Sequence, residues 1–461
     1  MADGAADLPF RPATPARRSG KPISMPQFLW IAWREPLNMW SDRHFSEPIL
    51  FGQSALGYAI NVSDPAGIRH VLLENAKNYD KGALQKRVLG PLLAEGLLLV
   101  EGDDWKRARR IMAPLFTPAR TAVLAARMRE VSEARVKGWL DDRSVAVINI
   151  DHEMTALTFE IISATMFSDM LGGEAAQFER ALTGFLDTAA RIDPLEVLDA
   201  PKWIPRLGQL MGGGMARFFE KRVAQLVADR RAIIEAGEDA PDDLLTALIT
   251  ARDVEGGGTL SEREVACNIL TFILAGHETT ARALGWTLHL ISHDKAAQAH
   301  VQAEADAFDL ANPNWEDAMP WTRAVLEEAM RLYPPAPSLA RRAKEADVIC
   351  GQEIPANTAV LITPYVVHRH KLLWDDPDAF KPERFLPGNR EKIDRFAYIP
   401  FSQGPRICIG AAFAMQEGMI ALAEIMKRYE VDPPGEAEPM PSHRITLRAK
   451  HGIRLRVSRR E

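Results

Sequence analysis

The stretch Phe401-Ser402-Gln403-Gly404-Pro405-Arg406-Ile407-Cys408-Ile409-Gly410 decides how this chain of 461 residues is read. It sets one cysteine between glycines, two residues after an arginine. Gly404-Pro405 is turn chemistry, so the chain bends there. From Ala411 to Tyr429 the apolar residues Phe413, Met415, Ile420, Leu422, Ala423, Ile425 and Met426 recur at helical spacing. Gln416, Glu417, Glu424, Lys427 and Arg428 lie between them. Cys408 is therefore expected in a tight loop at a helix start, where free amide groups and the positive end of the helix dipole favour a thiolate. A lone thiolate on a glycine-opened loop suits one axial position of a flat metal cofactor. Zinc asks for about four protein ligands. A free cysteine is more often a small buried hydrophobe, so the flanking residues have to make the choice.

The composition bounds the answer. Hydrophobic content of 47 % and charged content of 26 % are those of an ordinary globular chain. A net charge of −6 argues against a nucleic-acid binder. Cys267, Cys350 and Cys408 lie too far apart for a disulfide framework or a zinc site and suit a reducing cytoplasm. Residues 1–24 read as a disordered or loosely packed tail, rich in Ala, Pro, Gly and Arg. Residues 25–461 read as one domain, since no long linker, repeat or low-complexity segment divides them. The tail has no run apolar enough for a signal peptide, and Phe28 to Trp33 is far short of a membrane span. With Trp30, Trp33 and Trp40 this stretch either packs on the protein's own core, the favoured reading, or touches a membrane surface.

In chain order, Ile49 to Gly52 and Leu56 to Val62 suggest a hairpin turning at Gln53-Ser54. Asp64-Pro65 opens a helix. Residues 82–96 have no clean period and read as an irregular, pocket-lining loop. Trp105 and Arg109, four apart on one helix face, place an indole N–H beside a guanidinium fork that suits a carboxylate. A surface helix with a half-buried Trp explains the same spacing. Residues 148–236 are mainly helical with breaks between 193 and 205, and Met154 to Phe167 fits a buried helix.

Ser261 and Glu264 form a capping box, and the apolar pattern behind them runs to about Ser292. Some thirty residues at ~1.5 Å each make a rod of roughly 45 Å. Inside it, Ala275-Gly276-His277-Glu278-Thr279-Thr280 sets Phe272, Ala275, Gly276, Thr279 and Ala283 on one face. Gly276 costs about 1 kcal/mol against Ala in a helix. Its reason is either a shallow groove for a diatomic ligand or close helix packing, with Thr279 bonding a backbone carbonyl. Arg331 can pair with Glu328 or with Glu327. Ile453 to Val457 alternates as a strand.

Together these stretches resemble the cytochrome P-450 family, the haem-thiolate monooxygenases. The resemblance is carried by F-S-Q-G-P-R-I-C-I-G, by A-G-H-E-T-T, by E-x-x-R from Glu328 followed by Pro334, and by G-x-x-W-x-x-x-R with P-x-F. It spans Trp105 to Gly410, and its one mild departure is Ser402 where the pattern often has Gly. It implies a mainly α fold, a helical prism with small β-sheets, holding haem b, iron protoporphyrin IX.

The implied roles follow residue by residue. Cys408 would ligate the iron, covered by Phe401 and followed by Gly410. Trp105, Arg109, Arg342 and Arg406 would hold the propionates, with Arg341 the rival of Arg342. Ala275 and Gly276 would form the oxygen groove, and Thr279 with Glu278 would deliver protons. Glu328, Arg331 and Arg384 would form a structural clamp. Lys106, Arg107 and Arg110 are either a solvated face or a docking site for an acidic electron donor. One atom of O2 would be inserted into a lipophilic substrate, a fatty acid, steroid or similar molecule. NAD(P)H electrons would arrive through a separate ferredoxin and ferredoxin reductase, because no flavin or iron–sulfur region follows the haem segment. The alternatives are a peroxide-driven peroxygenase, in which Arg-Pro usually replaces the acid–alcohol pair, and a haem sensor. The expected state is a cytoplasmic monomer.

Overall fold

The computed structural model describes residues 8–21, 23–54, 57–168, 178, 181, 182, 184 and 207–460. The helices that position the site are α1 (Met25–Arg34), α2 (Ala83–Leu93), α3 (Gly102–Met112), α4 (Ile150–Met166), α5 (Glu262–Ser292), α6 (Pro320–Leu332) and α7 (Ala411–Arg428).

The long rod α5 organises the molecule. Its start is fixed reciprocally: the Glu264 amide donates to Ser261 Oγ at 3.1 Å, and the Ser261 amide donates to the Glu264 carboxylate at 2.8 Å. Its first half, with Ile269, Phe272 and Ile273, belongs to a core shared with Phe159 and Phe219. Its second half, with Leu284, Trp286 and Ile291, joins a core shared with α6 and α7. Trp286 stacks on Tyr333, ring centroids 3.7 Å apart. Residues 275–280 lie at the junction of the two cores. Amphipathic helices on one buried rod give the mainly α fold that the sequence leads one to expect.

The β-structure lies in small separate sheets. The largest joins β1 (Ile49–Ser54), β2 (Gly57–Val62), β3 (Tyr79–Asp80), β5 (Leu339–Ala343) and β8 (Ala359–Ile362) in the order β1-β2-β8-β5-β3. The strand β4 (Val145–Asn149) pairs with β12 (Arg454–Arg459), which also pairs with β9 (Tyr429–Asp432). Two hairpins, β6 (Asp347–Ile349) with β7 (Gln352–Ile354) and β10 (Pro441–His443) with β11 (Leu447–Ala449), complete the set.

Several expectations shift. The first hairpin pairs Ser54 with Gly57, so Gln53 and Ser54 belong to the strand and not to the turn. Residues 83–93 form α2; Gly90-Pro91 hid the period. The breaks expected between 193 and 205 lie outside the described residues. Residues 8–21, read from composition as part of the tail, run against the body. Arg17 binds Asp378 at 2.7 Å and lies 4.0 Å over the Phe45 ring, and the Phe380 amide donates to the Phe10 carbonyl at 2.8 Å. Specific polar contacts hold this segment where few apolar side chains do.

Candidate haem-binding site

Cys408 sits two residues before the Gly410 N-cap of α7. Its loop is closed on itself, because the Cys408 amide donates to the Phe401 carbonyl at 2.9 Å. Gly404 has φ +74°, and a Cβ there would lie 1.9 Å from the Leu72 carbonyl oxygen, so only glycine fits. Ser402 also has positive φ, +61°, at the position where glycine is usual. Cys408 is exposed although protein surrounds it closely, which places it on the wall of an internal space. That burial pushes its thiol up, against the pull of the Gly410 amide and the Arg109 charge. The helix-start amide alone therefore does not make a thiolate here.

The middle of α5 carries the second motif. The helix is buried on either side, yet Ala275 is exposed and Gly276 and Thr279 are half-buried. A strip of small residues thus opens onto a space inside the protein. Both features of the packing explanation are present as well. Ile162 Cδ1 would meet a Cβ on Gly276 at 3.0 Å. The Thr279 hydroxyl donates to the Ala275 carbonyl at 2.5 Å. Glu278 is turned away and buried, accepting from Thr446 at 2.7 Å and from Arg448 at 2.8 Å, with Arg282 at 3.8 Å.

A group of cations gathers at one side. The Arg406 guanidinium lies 4.2 Å over the Trp105 ring and donates to the Val100 carbonyl at 2.8 Å. Burial holds Arg406 down at about 10 and also lowers Arg109. Arg341 is lowered by burial too, and its side chain donates to the Ala340 carbonyl at 2.9 Å. Lys81 falls to about 7 through burial, Arg406 and Arg341. The acid that acts on Lys81, Arg341 and Arg406 is Glu101, which Lys86 already holds. Arg342 is not in this group; it is half-exposed and pairs with Asp80 at 2.8 Å. In β5 the alternation of faces sends Arg341 and Arg342 opposite ways. Lys81 and Glu101 carry no motif, and sequence reasoning missed both.

This arrangement fits haem. A largely buried group of three cations, Lys81, Arg341 and Arg406, sharing one already engaged carboxylate, with Arg109 beside Cys408, is costly unless a dianion completes it. The two carboxylates of a porphyrin supply that charge. The exposed sulfur of Cys408 and the exposed small residues of α5 suit a flat ring that bears an iron.

Glu328 and Arg331 form a bidentate pair at 2.6 and 2.7 Å, both fully buried, with Arg384 at 3.6 Å from Glu328. Arg331 also donates to the carbonyls of His368, Pro377 and Ala379 at 2.7–2.8 Å. Glu327 is taken by Arg390 at 3.1 Å, which resolves the rivalry left by spacing. Lys106, Arg107 and Arg110 are all paired, with Asp103, Glu264 and Asp253. A third residue missed from sequence is Glu417 on α7. It is fully buried beside the Thr280 hydroxyl, and burial pushes it up to about 8 against the pull of that hydroxyl.

The family model described as Cytochrome P450 matches residues 27–456. Cyclooctatin synthase of Streptomyces melanosporofaciens is 35 % identical, covering 83 % of this chain and 83 % of the relative. Pentalenene oxygenase of Streptomyces avermitilis is 28 % identical, covering 94 % of each. The crystal structure of a cytochrome P450, CYP102L1, matches with a TM-score of 0.77 at 26 % identity, covering 91 % of this chain and 93 % of that one. The chain belongs to the cytochrome P450 family of haem-thiolate monooxygenases.

Proposed function

We propose that this chain hydroxylates a cyclic or olefinic hydrocarbon, or an alcohol derived from one, at a haem held between Cys408 and α5. Two openings in otherwise packed surroundings, the exposed Cys408 and the exposed Ala275 strip of α5, carry this reading. The names of the relatives, cyclooctatin synthase and pentalenene oxygenase, support the substrate class over fatty acids and steroids.

Bound haem b supplies activation of O2 at iron, the chemistry that the protein's own side chains lack. Cys408 Sγ would hold the iron, and the closed loop around it, with the Cys408 amide on the Phe401 carbonyl, would fix the sulfur in place. Trp105, Arg109, Arg406, Arg341 and Lys81 hold the propionates. Arg341 takes the role that the sequence pattern gave to Arg342, because Arg342 is spent on Asp80. The Thr279 hydroxyl, parked on the Ala275 carbonyl, turns to donate its proton toward the space. Glu278 lies behind it, held by Arg448 and Thr446, a position from which it relays protons from outside. Glu417 is a second, protonated acid beneath the same stretch of α5. Apolar walls from Phe116 and Phe272, whose rings are 4.9 Å apart, exclude water from the reacting carbon.

Electrons come from NAD(P)H through a separate ferredoxin and reductase, and the protein works as a cytoplasmic monomer. Among the described residues no helix is long and apolar enough to cross a membrane. Turnover of such a hydrocarbon with a surrogate ferredoxin and reductase under labelled O2 tests the proposal. One labelled oxygen in the product is the expected result. Product formed with peroxide alone, and none with O2 and reductant, overturns it in favour of a peroxygenase.

A further inference from the structure

The helix α1 turns Met25, Phe28, Leu29, Ile31 and Ala32 toward the protein, as a surface helix does, but it also carries two indoles on the side that normally holds polar residues. Its outward residues are Pro26, Gln27, Trp30, Trp33 and Arg34, which share one face at 100° per residue. Trp30 is 54 % exposed and Trp33 39 %. The two indoles are 5.5 Å apart, and the Arg34 guanidinium is 5.4 Å from the Trp30 ring. Only Ala32 of this helix is buried.

The patch is held rigidly. Glu35, at the end of α1, accepts from the Ser442 hydroxyl at 2.6 Å and from the His443 amide at 3.0 Å. Arg444 donates to the Arg34 carbonyl at 3.2 Å. The charge around the indoles is positive although the chain carries −6 overall. Lys21 and Arg34 are exposed, Arg18 donates to the Lys21 carbonyl, and Arg444 donates to backbone carbonyls. Of the acids nearby, Glu35 is spent inward on Ser442 and His443, and Asp42 is exposed beside Arg18, which leaves Lys21 and Arg34 as the exposed cations next to the indoles.

We infer that this face is a contact with an anionic phospholipid surface. Trp30 and Trp33 enter the headgroup layer, where an amphipathic ring is most stable, and Lys21 and Arg34 lie against lipid phosphates. The contact is peripheral, since no described helix crosses a bilayer. A lipophilic substrate dissolved in the same layer would be drawn from there; this purpose rests on the oxygenase reading, whereas the contact itself does not.

The test is flotation of the full-length, haem-loaded protein with vesicles of phosphatidylcholine, with or without phosphatidylglycerol, at low salt. Binding to the anionic vesicles with a blue shift of tryptophan emission is expected. Trp30→Ser with Trp33→Ser should lower the bound fraction roughly tenfold. Lys21→Gln with Arg34→Gln should remove most of the salt sensitivity. The spectrum of the carbon monoxide complex should not change, which separates this contact from the haem chemistry. If the double tryptophan variant fails to hold haem, Trp33→Ser alone decides. No binding to anionic vesicles, or equal binding by variant and parent, overturns the inference. Self-association abolished by the same substitutions, without vesicle binding, also overturns it and makes a second copy the occupant.

Discussion

Gly404 stands so close to Leu72 that a single added carbon would lie 1.9 Å from the Leu72 carbonyl oxygen. The loop bearing Cys408 is thus pressed onto the segment that follows the first hairpin. Gly404→Ala would face that overlap and a left-handed backbone, itself costing about 1–2 kcal/mol. We expect a fall in stability of more than ~2 kcal/mol and a loss of most bound haem. Thermal unfolding and the ratio of haem to protein absorbance report both effects.

Arg341 and Arg342 separate cleanly. Arg341→Ala should leave a propionate without a buried partner and accelerate haem transfer to a scavenger globin by roughly tenfold or more. Arg342→Ala breaks only a half-exposed pair with Asp80 and should change that rate by less than about twofold. Equal effects would show that the propionates are held elsewhere.

Glu417 makes stability depend on pH. Its folded-state value is raised from 4.5 to about 8, so the folded protein binds more protons than the unfolded chain between those limits. Stability from this group is complete below pH 4.5 and is lost as pH rises toward 8. Glu417→Gln removes the titration. The variant should be more stable than the parent by ~1–3 kcal/mol at pH 8 and should show a flatter profile in denaturant titrations across that window.

Thr279→Ala removes a hydroxyl now resting on the Ala275 carbonyl. We expect NAD(P)H consumption to continue while product per electron pair falls several-fold and peroxide rises. Unchanged coupling would contradict proton delivery through Thr279.

The sequence made the α5 rod legible because its capping box and its period act locally. Ser261 and Glu264 sit where the spacing puts them. The motifs also singled out Cys408, Trp105 and Arg406, although Arg406 meets the Trp105 ring and the Val100 carbonyl only through folding across most of the chain. The buried partner of Arg331 came from the family frame, since spacing alone allows Glu327 as well as Glu328. Arg341 and Arg342 stay rivals in the sequence because the choice depends on which side of β5 each side chain lies, a tertiary fact. Lys81 and Glu101 meet only through folding across twenty residues of chain. Glu417 looked like a polar face of α7, but neighbouring elements bury that helix all round from Gln416 to Met426. Residues 83–93 were read as a loop because Gly90 and Pro91 count as breakers, and packing of Leu92 and Leu93 outweighs them.

The central claim is that Cys408 binds haem iron as a thiolate. The absorption spectrum of the reduced protein under carbon monoxide tests it most directly. A strongly red-shifted Soret band in the parent, lost in Cys408→Ala, is the predicted result. A band at the position of histidine- or thiol-ligated haem in freshly prepared parent protein, or the same red-shifted band in Cys408→Ala, would contradict it.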